Sequence, residues 1–123
     1  MAKKIIIADD DPNIRELIQL TLEDDGYEIY EAKDGIEAVA KAKEIKPDLI
    51  ILDVAMPGKV GYLVCSEIRQ DPTTKNAYII FLTARGTPVA KMTGEDAGGN
   101  EFISKPFEPK LLREKIKNIL GKS

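Results

Sequence analysis

The chain contains no histidine and a single cysteine, Cys65, among its 123 residues. One cysteine excludes an internal disulfide, and without histidine it lacks the partners for a zinc centre. Both facts fit a reducing cytoplasm. Long apolar runs are also missing. The longest, Ala77 to Leu82, is far short of the roughly 18 residues that a membrane span needs. At the N-terminus Met1-Ala2-Lys3-Lys4 leads into only four apolar residues, which disfavours a secretory signal. Excess positive charge is absent as well. Lysine and arginine number 18 against 21 acids, a formal charge of −3, opposite to the usual footprint of a phosphate-backbone binder. Direct nucleic-acid binding is therefore not expected. What is present is 43% hydrophobic and 32% charged residues, enough for one compact core over residues 1–123 and too little chain for a second.

Short apolar runs alternate with amphipathic stretches. Lys4 to Ala8 is a β-branched run ending at three aspartates, after which Pro12 suits a first helical turn and Ile14, Leu17, Ile18 and Leu22 recur at helical spacing until Gly26. Tyr27 to Ala32 reads as a second strand and Asp34-Gly35 as a turn. Ile36, Val39, Ala42 and Ile45 form one helix face, closed by Lys46-Pro47. Leu49 to Leu52 is an apolar strand capped by Asp53. Met56-Pro57-Gly58 and Gly61 make a loop, Tyr62 to Arg69 a short helix, and Asp71-Pro72 the break before a strand over Tyr78 to Leu82, ended by Thr83. A weaker helix over Pro88 to about Ala97 carries Gly94 in its interior, at a cost of roughly 0.8–1 kcal/mol against alanine. It is expected to be marginal and to act as the mobile element. The strand Glu101 to Ser104 follows, then the helix Glu108 to Leu120 with a buried stripe of Leu111, Leu112, Ile116, Ile119 and Leu120. Such alternation predicts an α/β fold, a doubly wound parallel sheet with helices on both faces. Ligands in such folds bind at the carboxyl ends of the strands.

Asp9 and Asp10 follow the first strand, Asp53 the third, Thr83 the fourth and Lys105 the fifth. Parallel strands bring all five to one edge of the sheet. Carboxylates sharing a pocket repel, each pair by about 4 kcal/mol at 4 Å and an effective dielectric near 20. Lys105 supplies one cation, and an all-oxygen donor set suits a hard divalent ion, Mg²⁺ above all. Mg²⁺, Lys105 and Thr83 are together equipped to neutralise phosphoryl oxygens. The central carboxylate, Asp53, is then the candidate nucleophile for an acyl phosphate.

These residues resemble the receiver domain of two-component response regulators, in particular the single-domain, chemotaxis-regulator type. The resemblance spans the chain. It rests on Asp9-Asp10, on Asp53 followed by Met56-Pro57-Gly58, on Thr83-Ala84, and on Phe102 to Lys105-Pro106-Phe107. It implies a flavodoxin-like five-stranded sheet of order 2-1-3-4-5 with five helices. It also implies that Asp53 accepts phosphate from a sensor histidine kinase or histidine phosphotransfer protein. Asp10, Asp53 and the Ala55 carbonyl would ligate Mg²⁺, Asp9 would assist through water, and Thr83 and Lys105 would bind the phosphoryl oxygens. The Lys105-Pro106 peptide is expected to be cis, and Phe102 to turn inward when Thr83 moves toward the phosphate. Output would pass to a partner protein through the fourth helix, fifth strand and fifth helix, with no enzymatic activity beyond self-phosphorylation and self-dephosphorylation. The chain reads as a single-domain regulator, or as a receiver excised from a longer one. Lacking histidine, it can receive phosphate from a phosphohistidine and cannot carry one.

Some positions depart from the pattern: Val60 stands where an aspartate is frequent, and Gly99-Asn100-Glu101 replaces a more usual alanine and paired aspartates. Ala55 and Arg85 occupy positions that vary in the family and influence the lifetime of the phosphate. Simpler readings apply elsewhere. Asp11 is best read as the N-cap of the first helix, and Cys65 as a small apolar helix residue near Leu63, Val64 and Ile68. Asp9, Asp11 and Asn13 imitate an EF-hand opening, but Ile14 and Leu20 stand where glycine and glutamate are needed. Lys110, Arg113, Lys115 and Lys117, interspersed with Glu108 and Glu114, read as a solvated face open to an acidic partner. Two alternatives share elements of the pattern. A flavodoxin-like FMN carrier would need a hydroxyl- and glycine-rich loop where three acids stand. A haloacid-dehalogenase-type phosphatase would use Asp9 as nucleophile and Asp11 as general acid, and Pro12 breaks its expected continuation.

Overall fold

A computed structural model of the chain describes residues 2–54, 61–84 and 99–121. The element order is β1 (Lys4–Ala8), α1 (Pro12–Leu22) with a 3-10 turn (Glu23–Asp25), β2 (Glu28–Ala32), α2 (Gly35–Ile45), β3 (Leu49–Asp53), α3 (Gly61–Gln70), β4 (Tyr78–Ala84), β5 (Glu101–Lys105) and a C-terminal helix (Pro109–Leu120). The five strands form one parallel sheet in the order β2-β1-β3-β4-β5. The doubly wound flavodoxin-like fold is thus as expected. Of the five helices expected, the one over Pro88 to Ala97 lies outside the described residues, as does the Met56-Pro57-Gly58 loop.

Alternating side chains divide the core between the two faces of the sheet. Ile6, Ile50, Leu52, Ile79 and Phe81 face α2 and α3, where Ala38, Ala42, Val64, Cys65 and Ile68 cover them. Ile5, Ile7, Leu49, Ile51, Ile80 and Leu82 face α1 and the C-terminal helix, where Ile18, Leu22, Leu112 and Ile116 cover them. The three inner strands β1, β3 and β4 are buried on both faces and therefore read as nearly continuous apolar runs without alternation. Cys65 is fully buried on the first face, and burial pushes its thiol pKa up to about 11. That agrees with its reading as a packing residue. No helix among the described residues is long and apolar enough to cross a membrane.

Local chemistry sets the helix starts. Asp11 caps α1, its carboxylate accepting from the Asn13 amide at 2.9 Å. Asp34 accepts from the Glu37 amide at 2.8 Å while Glu37 accepts from the Lys33 amide at 3.0 Å. Together these two bonds make the Asp34-Gly35 turn the opening of α2, with Asp34 as the N-cap. At the end of the 3-10 turn that follows α1, Gly26 takes a φ of 82°, a left-handed conformation that glycine adopts without a Cβ clash.

Several placements differ from the sequence reading. Ile36 is 61% exposed and Leu111 57% exposed, so neither belongs to the buried stripe of its helix. The inner face of α2 is made of Gly35, Ala38, Val39 and Ala42, because small side chains let the helix lie close to the sheet. Leu63 is exposed beside the buried Val64 and Cys65. Strand β4 runs through Thr83 to Ala84 instead of ending before it. The C-terminal helix is not a freely solvated basic face either. Lys115 donates to Glu101 at 2.6 Å, and Glu101 also accepts from the Tyr78 hydroxyl at 2.7 Å. Burial and this bond push the Tyr78 pKa up to about 12.

Arg113 forms a two-pronged ion pair with Asp25, at 2.9 and 2.7 Å. It ties the C-terminal helix to the turn after α1. The Arg113 hydrogen bonds hold the Asp25 carboxyl below its ordinary value of 3.8. A lowered folded pKa contributes stability that is complete above the unfolded value and is lost as pH falls through the folded one. Arg113→Ala is therefore expected to melt below the unmodified chain at neutral pH, with the gap closing in acid below about pH 4. Circular-dichroism melts across that range test it. A gap independent of pH would assign the loss to packing of the arginine stem instead.

Candidate functional site

Strand register brings the site together. Ala8 lies level with Leu52 across β1 and β3, and Asp53 lies level with Leu82 on β4. Asp9 and Asp10 therefore leave β1 beside Asp53, the last residue of β3. One carboxylate oxygen from each of Asp9, Asp10 and Asp53 falls within a cluster 4.8 Å across. Asp9 is fully buried and Asp53 is 7% exposed, while Asp10 is open to solvent.

Lys105, the last residue of β5, reaches this cluster from the far side. Its Nζ lies 2.9 Å from Asp9 Oδ2 and 3.4 Å from Asp53 Oδ2. Partial burial pulls the ammonium pKa down, but its interactions with Asp9 and Asp53 outweigh that and leave it raised. Lys105 is thus a held cation. The Lys105-Pro106 peptide is cis, as the resemblance led one to expect. Asp9 is fixed from several directions. Its amide donates to the Ala32 carbonyl at 3.1 Å, and its Oδ1 accepts from the Asp11 amide at 2.9 Å.

Thr83 is buried on β4, one position beyond the residue level with Asp53. Alternation puts it on the same face of the sheet as Phe81. On β5, Phe102 stacks on Phe81, ring centroids 5.4 Å apart and planes 25° from parallel. The structure thus brings together Asp9, Asp10, Asp53 and Lys105, with Thr83 adjacent and Phe102 a layer below on the same face. Ala55, expected as a carbonyl ligand, lies outside the described residues, as do Val60 and Arg85.

The donors fit a hard divalent cation. All are carboxylate oxygens, and Asp9 Oδ2 is buried with no well-directed hydrogen bond, although its ion pair with Lys105 is close. Oxygen atoms in that condition suit an ion of the Mg²⁺ or Ca²⁺ kind.

Sequence reading missed Arg15. Its guanidinium donates to the Asp9 carbonyl at 2.7 Å and to Glu31 at 2.9 Å. One signal pointed to it: a cation in the first turns of a helix opposes the helix dipole, and α1 has no acid in its first turn.

A parallel doubly wound sheet with an acid cluster and a lysine at its carboxyl edge is the architecture of receiver domains. The model of the response regulator receiver domain matches residues 5–117, and the chain belongs to that family. It is 40% identical over its whole length to the alkaline phosphatase synthesis transcriptional regulatory protein PhoP of Bacillus subtilis, covering 50% of that protein. The chain spans about half the length of the curated relatives it matches. Among solved structures it superposes on the chemotaxis response regulator CheY4 of Vibrio cholerae with a TM-score of 0.91 at 35% identity, over 98% of this chain and all of that one. It also matches the receiver domain of a sensor histidine kinase of Pseudomonas aeruginosa, solved with a magnesium ion in its active-site cleft, with a TM-score of 0.88 at 29% identity over 99% of this chain and 100% of that one. These matches favour the receiver reading over the flavin carrier and the dehalogenase-type phosphatase.

Proposed function

We propose that residues 1–123 form one receiver domain that accepts a phosphoryl group on Asp53 from a phosphohistidine of a sensor kinase or phosphotransfer protein. The observation that carries this is the convergence of Asp9, Asp10, Asp53 and Lys105 at the carboxyl edge of the sheet. Asp9, Asp10 and Asp53 would hold Mg²⁺, with the Ala55 carbonyl as a further ligand. When bound, the ion supplies neutralising charge for the phosphoryl oxygens.

The chain's own residues do the rest. An Asp53 carboxylate oxygen forms a bond to phosphorus as the P–N bond to the donor imidazole breaks, and the leaving nitrogen takes up a proton. Lys105, held as a cation, moves its charge from Asp53 toward a phosphoryl oxygen. The Thr83 hydroxyl donates to another. Movement of Thr83 changes the packing above Phe81 and Phe102, which makes Phe102 the switch that carries the change to the β5 surface.

Output then passes to a partner protein. The described surface that supports this is a groove of about 410 Å³ lined by Phe102, Ile103, Phe107, Leu111 and Lys115, the β5 and C-terminal helix part of the expected output face. The reading is of a cytoplasmic regulatory domain that acts by contact, without chemistry on other substrates.

Incubation with Mg²⁺ and acetyl phosphate, followed by intact mass, tests the assignment. The unmodified chain and Asp11→Ala are expected to gain one phosphoryl group and Asp53→Ala none. An adduct retained on Asp53→Ala sinks it.

A further inference from the structure

The geometry points to Arg15 as a positioning residue for the metal-binding acids, held in place by Glu31. This rests on the proposed use of Asp9, Asp10 and Asp53 by Mg²⁺ and goes beyond it, because Arg15 touches none of the three carboxylates in the contacts described.

The Asp9 carbonyl has left the β1 ladder, which ends at Ala8. The Arg15 Nη1 donor, 2.7 Å away, is its partner. That carbonyl belongs to the peptide joining Asp9 to Asp10, so fixing it fixes the plane from which the Asp10 side chain departs. Asp10 needs such support. It is the exposed member of the cluster, whereas Asp9 and Asp53 are walled in by the sheet.

Arg15 itself is not free to wander. Its Nε donates to Glu31 Oε1 at 2.9 Å, and its side chain is only 17% exposed. Glu31 sits on β2, level with Ile7, and its carbonyl accepts from Lys41 of α2. A planar fork suits this duty, because Nε donates to the Glu31 carboxylate while Nη1 donates to a backbone oxygen. Lysine carries the charge without the fork.

Charge alone predicts the opposite sign. Removing a cation near three carboxylates would favour a divalent ion, whereas removing a positioning contact weakens binding, typically by at least about tenfold for a residue that orients metal ligands. The two effects are therefore separable in one experiment. Mg²⁺ is titrated calorimetrically into the unmodified chain, Arg15→Lys, Arg15→Met and Glu31→Gln, each shown folded by circular dichroism. The half-saturating Mg²⁺ for phosphorylation by acetyl phosphate is measured alongside.

Arg15→Lys is expected to weaken Mg²⁺ binding by about tenfold, with Glu31→Gln shifted in the same direction. The phosphorylation rate should return to that of the unmodified chain at saturating Mg²⁺. Should Arg15→Met fail to fold, Arg15→Lys decides the matter, because it keeps the charge and removes the fork. Unchanged Mg²⁺ affinity in Arg15→Lys overturns the inference, as does tighter binding in Arg15→Met. Calorimetry does not depend on phosphoryl transfer, so a chain whose Mg²⁺ affinity depends on Arg15 yet gains no phosphate would overturn the proposed function alone. An unmodified chain that binds no Mg²⁺ would overturn both.

Discussion

Lys105→Ala is expected to bind Mg²⁺ more tightly than the unmodified chain and yet accept phosphate from acetyl phosphate about 10²–10³ times more slowly. The two effects have one origin. In the structure the Lys105 ammonium lies 2.9 Å from Asp9 and 3.4 Å from Asp53, so it occupies the negative potential that a divalent ion also seeks. Two unit charges at such distances interact by about 5–6 kcal/mol at an effective dielectric near 20. Removing the lysine leaves a buried pair of carboxylates with a stronger demand for a cation. The slower transfer follows because the phosphoryl group arriving at Asp53 brings charge that Lys105 no longer meets. Calorimetric Mg²⁺ titration together with phosphorylation rates at saturating Mg²⁺ checks both halves. If the rate at saturation were normal, Lys105 would be a counter-ion of the resting site and nothing more.

The second large effect falls on stability. Phe81→Ala is expected to cost about 3–5 kcal/mol, which for a domain of this size lowers the melting temperature by about 10–20 °C. Phe81 is fully buried in the cluster on the sheet face covered by α2 and α3. It also supports the Phe102 ring at 5.4 Å. Truncation would leave a cavity directly below Thr83 and unseat the stacked ring. Leu111→Ala is the control, because Leu111 is 57% exposed, and its change should stay within about 0.5 kcal/mol. A Phe81→Ala melt within a few degrees of the unmodified chain would mean that Phe102 collapses into the space. It would also remove the basis for treating the two rings as one element of the switch.

How much of this was legible from residues alone differed by scale. Strand positions were, because apolar runs such as Ile5 to Ala8 and Leu49 to Leu52 are buried on both faces and carry no competing pattern. The acids and Lys105 were as well, since parallel topology turns distant strand ends into neighbours. Helix orientation was less so. For α2 the periodicity points the large Ile36 inward, yet the helix buries Gly35, Ala38 and Ala42, where close approach matters more than side-chain size.

Polar contacts between distant elements left almost no trace in the sequence. Asn100 was only a departure from a common motif. In the fold its side-chain oxygen accepts from the Ile79 amide at 2.8 Å and from Arg69 at 2.7 Å, which ties the start of β4 to the end of α3. Arg113 and Asp25, 88 positions apart, likewise meet only once the C-terminal helix has docked beside α1. Such pairs follow from tertiary packing, and periodicity carries no information about them.

The buried Cys65 has a use of its own. It is the chain's single thiol, and the chain has no tryptophan. With its pKa at about 11 and its side chain sealed under the sheet, Cys65 can be alkylated only while α3 is lifted away from β3 and β4. The rate of that reaction is a clock for the opening of one helix. Because α3 begins at Gly61, only eight positions beyond Asp53, the clock stands close enough to the site to register whether an ion or a phosphoryl group there steadies this side of the domain.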